Sequence, residues 1–412
     1  MNFLFAWRYF KAKKTTNAIN IISWISILAI VIGTVSLILV LSVFNGFEGL
    51  VKSLYSSFYP EIKITAVTGK QIILTPDQLS RLRSINGIKA ISLVVEETAF
   101  LQNKNDSSIA GESKIIIKGV DSNYTVVTTV ADHIAEGTFN LGTEDSPLLV
   151  LGAGIQNAIG VQADRNVRPL VIYLPHKGDI GSSDPLKLLS TEMVNTSGTF
   201  VIQQDFDDKY VITNLNFVKK MLGMQQNAFG GAEIATVADA DINIIQETCN
   251  KILGPGYLVQ NRFEQNASLY SVMRIEKWII YAILSLILIV ATFNMVGALT
   301  MLVLEKKQDI NVLHALGATG GFIQKIFLNE GLLLALIGGG LGMIIAFVIG
   351  TLQNKYHLIP LQGSSFMINY FPVKMVVSDF LLVGLTVLII ALFASWIPAR
   401  KAAMQQSQLR DE

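Results

Sequence analysis

Hydrophobic and polar positions alternate along this chain at two scales. At the coarse scale, apolar windows without a formal charge run from Thr15 to Phe47, Trp278 to Leu304, Gly331 to Asn354 and Phe380 to Ala399. Each clears the roughly 20 residues that a helix needs to cross a hydrocarbon core of about 30 Å. The pattern predicts four transmembrane helices, at 19–46, 274–304 (with a stalk at its start), 327–353 and 376–398. At the fine scale, the stretch between the first and second windows carries short β-rich runs: Glu61–Val67, Ile91–Ala99, Lys114–Val120, Pro169–Leu174, Thr199–Gln203 and Lys209–Ile212. Pro76 opens a helix over Asp77–Ser84, and Asn214 caps another that runs through Leu222. Residues 47–273 are therefore expected to form an α+β domain in water. Within it, Gly178–Gly198, rich in Gly, Ser and Thr around an isolated LKLL, reads as an excursion from the compact body.

Between the second and third spans the pattern changes abruptly. Glu305, Lys306, Lys307 and Asp309 mark an exit from lipid, and Ile310, Leu313 and Leu316 then follow at spacings of three, with Gly317 as a helix stop. The segment 305–326 is thus a short amphipathic helix held between two spans. It either receives a push from a protein in the adjacent aqueous phase or lies at the interface as a connector. A second amphipathic element, residues 1–18, sets Phe3, Trp7 and Phe10 against Arg8, Lys11 and Lys14 and fits an in-plane elbow.

Composition agrees with a membrane protein: 51% of the 412 residues are hydrophobic and only 15% charged, too apolar for an ordinary soluble enzyme. A net charge of +1 excludes a nucleic-acid partner recruited by charge. Cys249 is the single cysteine, so no intrachain disulfide forms. The first apolar window is too long for a signal peptide and is expected to remain as an anchor. Lys and Arg set the orientation. Arg8, Lys11, Lys13 and Lys14, then Lys306, Lys307 and Lys325, then Arg400, Lys401 and Arg410 crowd one side. Lys355 and Lys374, in the loop 354–375, face them from the other. Both termini, with the tail 399–412, are expected in the cytoplasm and the large domain outside. Trp7, Trp24 and Trp396 then lie near the inner face and Trp278 near the outer one.

The sequence carries no catalytic constellation. There is no phosphate loop, no nucleophile elbow, and the histidines at 133, 176, 314 and 357 have no metal-ligand spacing. Asp205, Asp207 and Asp208 are expected to be solvated in a turn. Gly338, Gly339, Gly340 and Gly342 fit close helix packing. No Asp, Glu, Lys or Arg lies mid-span, which removes the usual markers of an ion-coupled transporter. Asn294, the most polar residue in its span, is expected to hydrogen-bond to a neighbouring helix, with a substrate contact as the other reading.

Two long stretches, WRYFKAKKTTNAINIISWISILAIVIGTVSLILVLSVFNGFE (Trp7–Glu48) and EKWIIYAILSLILIVATFNMVGALTMLVLEKKQDINVLHALGAT (Glu276–Thr319), closely resemble the LolC/LolE lipoprotein-releasing permeases of the MacB/FtsX-type superfamily. Ile116–Gly137, Val150–Val161 and Thr199–Leu222 resemble pieces of that family's periplasmic domain. The most specific motifs are SVFNGFE, FNMVGALTMLVLEKKQDI and LHALGAT. The resemblance implies four transmembrane helices, a large α+β periplasmic domain of two subdomains between the first and second, and residence in a bacterial inner membrane. It implies a transporter subunit and no enzyme, with no cofactor on this chain and no metal. ATP and Mg would be bound by a separate cytoplasmic ABC ATPase dimer of the LolD kind. A second permease subunit (a paralogue or the same chain), membrane lipid, a lipoprotein substrate and a LolA-like periplasmic chaperone complete the implied partners. Glu305, Lys306, Lys307, Asp309, Ile310, Leu313, Leu316, Gly317, Ala318 and Thr319 would form the ATPase-coupling segment. Val43, Phe44, Asn45, Gly46, Phe47 and Glu48 would line the substrate entrance, and Asp184, Pro185, Leu186, Leu188 and Leu189 fall where the LolC branch docks its chaperone. A MacB-like exporter of peptides or drugs and an FtsX-like signalling scaffold stand as alternatives.

The Lys/Arg distribution generates a direct test. With Cys249 changed to Ser, Ser107→Cys should react with an impermeant thiol reagent added outside the cell, and Gln308→Cys should react only after permeabilisation. The opposite labelling would reverse the orientation.

Overall fold

The computed structural model describes residues 17–103, 111–163, 169–175, 189–361 and 370–404. Two compact units divide them: a membrane unit (17–50, 271–361 and 370–404) and a second unit, Val51–Tyr270.

In the membrane unit the uncharged windows become helices long and apolar enough to cross a bilayer: α1 (Asn17–Phe58), α5 (Ala267–Glu305), α7 (Gly320–Tyr356) and α8 (Val377–Met404). At 1.5 Å per residue, α1 and α5 extend roughly 60 Å, about twice the hydrocarbon core. Between α5 and α7 lies the short helix α6 (Lys307–Ala315). The unit has a large apolar core, with Ile30, Leu37, Met295, Leu299, Phe327 and Val387 buried together. In lipid the hydrophobic effect does not hold helices together; close packing does. Gly338 and Gly342 provide it: a Cβ at Gly338 would come within 2.9 Å of Ile30, and one at Gly342 within 2.7 Å of Thr34, both on α1. Gly339 faces Val387 on α8 instead. The glycine run is therefore a packing surface for two neighbours, as its small residues suggest.

The second unit is built on a single mixed sheet of β1 (Ile62–Ala66), β3 (Ile88–Gln102), β4 (Glu112–Val120), β5 (Ile134–Gly137), β6 (Leu148–Gly152), β7 (Leu170–Pro175), β8 (Leu189–Phe200), β9 (Tyr210–Asn214), β11 (Gly231–Thr236) and β12 (Tyr257–Asn261). A separate pair, β2 (Ile72–Ile73) and β10 (Ala228–Phe229), lies apart. The sheet has two regimes. From β3 the pairing runs β4, β9, β6, β8, β7 and returns to β3, a closed ring. Ala99, Leu101, Ile117, Leu151, Ile172 and Val211 belong to its apolar core, together with helix α3 (Leu215–Met221). Asn214 caps α3 by accepting from the Asn216 and Phe217 amides, as its position predicts. The other regime is open, in the order β12, β1, β11, β3, and packs against α2 (Pro76–Arg83) and α4 (Ile242–Leu253) through Ile64, Leu82, Ile91, Ile234 and Ile245. The fifteen-residue β3 serves both regimes, its first half in the open sheet and its second in the ring.

On the face of the open sheet away from those helices, charges are buried. Lys118 donates to Glu233 at 2.7 Å and pairs with Glu96 at 3.2 Å; Lys63 pairs with Glu96 at 3.0 Å. Lys118 and Glu233 are fully enclosed, with Phe58 at the end of α1 and Tyr124 stacked over the ammonium at 4.7 and 5.0 Å. Burial alone would raise the Glu96 carboxyl, but Lys63 and Lys118 together outweigh it and hold it down at about 2. Glu233 and Glu96 likewise outweigh burial and raise Lys118.

Two sequence expectations change here. Residues 189–198 are no excursion. They form most of β8, paired with β7 from Leu170↔Val194 to Pro175↔Leu189. Their polar composition misleads because this wall of the ring is solvated outside, leaving Val194 as the one buried residue of 189–197. Residues 178–188 lie outside the described residues. Of the aspartates at 205–208, Asp205 and Asp208 are exposed as expected, but Asp207 is buried. Residues Gln204–Asp207 make a helical turn, the Tyr55 hydroxyl donates to Asp205 at 2.8 Å, and buried Asp207 accepts from the Ile202 amide at 3.0 Å.

Burial pushes the Asp207 carboxyl up to about 6, against the opposing pull of the Ile202 and Gln203 amides. A carboxyl raised above its unfolded value of 3.8 stabilises the fold below that pH, and this is lost as pH rises through 6. Asp207→Asn keeps the acceptor but does not titrate. It should raise unfolding stability at pH 8 by the order of 1 kcal/mol and change little at pH 4, read by thermal unfolding of the full chain at both pH values.

Candidate functional site

The residues singled out by sequence fall in two places within the membrane unit. The first is the SVFNGFE stretch. Asn45, on α1, is buried and its amide donates to Asp379 Oδ2 at 2.5 Å and to the Lys374 carbonyl at 3.4 Å. Lys277, on α5, donates to Asn45 Oδ1 at 2.8 Å and pairs with Asp379 Oδ1 at 3.4 Å. Asp379 stands in the first turn of α8. One amide, one ammonium and one carboxylate therefore tie three spans at their ends. The chain entering α8 is drawn against α1 as well: the Lys374 amide donates to the Ser42 carbonyl at 2.9 Å, and Phe47 meets Phe371 edge to face at 5.9 Å. A side chain at Gly46 would overlap the Pro372 carbonyl, which is why SVFNGFE needs glycine there. The fourth span joins through Gln353 near the end of α7. Its amide donates to the Ile359 and Phe371 carbonyls and accepts from the Ile359 amide. Of the expected entrance residues, Asn45 and Gly46 are buried in this knot, while Val43, Phe44, Phe47 and Glu48 are partly exposed around it.

The second place is LHALGAT and the charges before it. Lys306 pairs with Asp309 at 3.0 Å over the first turn of α6. At its other end, the Ala318 amide donates to the Leu313 carbonyl and the Gly317 amide to the His314 carbonyl, with Gly317 at φ +91°, the geometry of a Schellman stop. Thr319 then accepts from the Phe322 amide and starts α7. The motif is a stop followed at once by a start, and it fixes the angle between two helices. Its apolar residues divide. Ile310 is buried in the core of the membrane unit and Leu313 is half-buried, whereas Leu316 is 80% exposed. Val312, which the spacing of three passes over, is 60% exposed beside it. Glu305 Oε2 and His314 Nε2 are buried polar atoms with no hydrogen-bond partner among the described residues.

Asn294 contradicts its expected role. It is exposed on α5 and bonds to no other helix of this chain among the described residues, within a face that also exposes Leu286, Ile287, Val290 and Phe293. Of the expected chaperone contacts, Leu189 opens β8 and is partly exposed; Asp184, Pro185, Leu186 and Leu188 lie outside the described residues. No group of side chains suited to a metal ion occurs among the described residues.

Comparison with known proteins matches the family model of the FtsX-like permease C-terminal region to residues 281–406 and that of the MacB-like periplasmic core domain to residues 23–169. The lipoprotein-releasing system transmembrane protein LolE of Haemophilus influenzae is 26% identical over 98% of this chain and 97% of its own length. LolC of Neisseria meningitidis serogroup B, of the same system, is 26% identical over 97% of this chain and 96% of its own. Among solved structures, the periplasmic region of MacB from Actinobacillus actinomycetemcomitans aligns with 54% of this chain and 98% of that one, at 12% identity and a TM-score of 0.36.

The knot yields a thermodynamic test. Lys277→Met and Asp379→Asn should each lower unfolding stability in detergent by roughly 1–3 kcal/mol, and the double variant by less than their sum, with a coupling of about 1–2 kcal/mol. Strict additivity would mean that the two residues do not act together.

Proposed function

Because the chain belongs to the MacB/FtsX-type permeases, of the LolC/LolE kind, we propose that it is a membrane subunit of an ABC transporter that extracts lipoproteins from the outer leaflet of a bacterial inner membrane. The observation that carries this reading is the near end-to-end likeness to transmembrane proteins of a lipoprotein-releasing system, through both units and the connecting helices. The chain has no phosphate loop of its own. Extraction costs about 0.8 kcal/mol for each methylene drawn from lipid, so energy has to come from elsewhere. In this reading a separate ATPase supplies it through α6, with the termini and α6 in the cytoplasm and Val51–Tyr270 in the periplasm. Leu316 and Val312 fill a groove on that ATPase. Thr319, Ala318 and Gly317 transmit the displacement to α7 through the rigid stop-and-start turn. Residues 43–48 act at the entrance as a hinge point around Asn45. A second permease subunit covers the exposed face of α5 and pairs with Asn294, since an amide left in lipid is costly. The released lipoprotein passes to a LolA-like carrier, with Leu189 and the segment before it as the contact.

Reconstitution of the permease with its ATPase, a labelled lipoprotein and a carrier tests the reading. Lipoprotein should leave the membrane only with ATP. Efflux of peptides or drugs instead would favour a MacB-like exporter, and ATP hydrolysis that moves no cargo would favour an FtsX-like scaffold. Within that assay, Leu316→Asp places a carboxylate in a desolvated contact and should lose ATPase copurification or release by at least about tenfold. Gln324→Asp, beyond the coupling segment, should behave as the parent. A fully coupled Leu316→Asp variant would remove α6 from the power path.

A further inference from the structure

From Val94 to Gln102, β3 is paired along both edges except in one place. β4 covers one edge from Val94 to Gln102. Along the other, β11 reaches only to Val94, where the Gly230 amide donates to the Val94 carbonyl at 2.9 Å, and β7 begins at Phe100. Residues 95–99 meet no described strand on that side. Main-chain groups in a strand point alternately to its two neighbours, so those of Glu96 and Thr98 face the vacancy, as those of Val94 face Gly230. The Thr98 amide is held by the Glu97 carboxylate at 3.2 Å rather than by another strand. Across the vacancy stand the end of β1 and the turn after it, Thr65, Ala66, Gly69 and Lys70, and between the two walls lies a cavity of about 330 Å³. It occupies the track that β11 would follow had the chain not turned away at Phe229 to form β10. Since β11 separates β1 from β3 elsewhere, the gap is one strand wide, with about 4.8 Å to either wall.

The chemistry of the walls selects the ligand. The charges around the cavity are already matched to one another, Lys63 with Glu96 at 3.0 Å and Lys70 with Glu97 at 2.7 Å, so a small ion gains little there. Among the described residues, no strand hydrogen-bonds to the main chain of Glu96 and Thr98 on this side, and a polypeptide in extended form is the ligand that would, by adding a strand. We propose that this slot binds an extended segment of the lipoprotein cargo, the stretch of polypeptide next to its lipid anchor. The assignment rests on the lipoprotein-releasing reading above. A folded body offers no free strand to a gap closed at its ends by Gly230 and Tyr173, whereas the residues between a lipid anchor and the folded body are free to extend. Residues 95–99 span about 16 Å, enough for roughly five residues of cargo. Recognition through the main chain is indifferent to side chains, which suits a carrier of many different cargoes.

The test uses the full-length permease in membrane vesicles with its ATPase and an acylated test lipoprotein. A photoreactive amino acid replaces Thr98, or Asn250 on α4 as a control, and the cross-linked peptides are mapped by mass spectrometry. Cross-linking from position 98, and not from 250, to the residues that follow the acylated cysteine supports the slot. Filling it with Ala66→Trp should abolish that cross-link while thermal unfolding shows the variant folded. Release of the lipoprotein without any cross-link from position 98 overturns the slot and leaves the transport reading intact. Cross-links to the cargo's folded body, or to residues 176–188 of this same chain, overturn it equally. Failure of the parent permease to release the lipoprotein sinks the transport reading, and the slot's cargo with it.

Discussion

A charge taken out of water has to be neutralised where it stands, and each unit of this protein is arranged around one place where that is done. In the membrane unit, Lys277 and Asp379 would each be costly at the end of a span without the other, and Asn45 bridges them with both ends of its amide. The positions of α1, α5 and α8 follow from that bridge, because each contributes one member. In the second unit, Lys118 and Glu233 are enclosed completely, and β1, β11, β3 and β4 must keep their register for Lys63, Glu233, Glu96 and Lys118 to meet. Neither cluster is worth much as net stabilisation over an apolar core. Both penalise any arrangement in which one partner is missing, and so they specify a single one.

The junction between the second and third spans follows a different rule. The angle between α6 and α7 is set by backbone chemistry, with Gly317 in a left-handed conformation and Thr319 capping the next helix two residues later. In the function proposed above, a turn with no slack passes a push on α6 to α7 without first taking up play. The apolar residues of this stretch sort accordingly: Ile310 anchors α6 to its own bundle, while Val312 and Leu316 are exposed.

How much of this was legible in the sequence depends on whether the determining contacts are local. The four spans could be read from charge-free windows, and the Asn214 cap and the Gly317 stop from residue type and place, since each acts within a few residues. The assignment of β8 failed because its residues are polar; the pairing with β7 and β6, both of which come earlier in the chain, makes them a strand. Asp207 looked like its solvated neighbours because burial comes from chain remote from it. The knot was the least visible. Asn45 and Asp379 are 334 residues apart, and each taken alone is just a polar residue at the edge of an apolar run. Val312 was missed because the apolar spacing of three steps over it, although it lies one turn before Leu316 on the same exposed side.

The placement of β1 has a consequence for how the chain comes to be folded. β1 follows the first span almost at once, yet both strands that flank it, β11 and β12, come from the far end of the unit. It can find neither partner until synthesis has passed Gly231, nor both until it has passed Asn261, by which point the second span is about to emerge. Long-range pairing of this kind is slow, and the edges waiting for it are the ones prone to stray association. For this protein, translation order works against assembly order: the first anchor must hold its strand unpaired until most of the unit has been made.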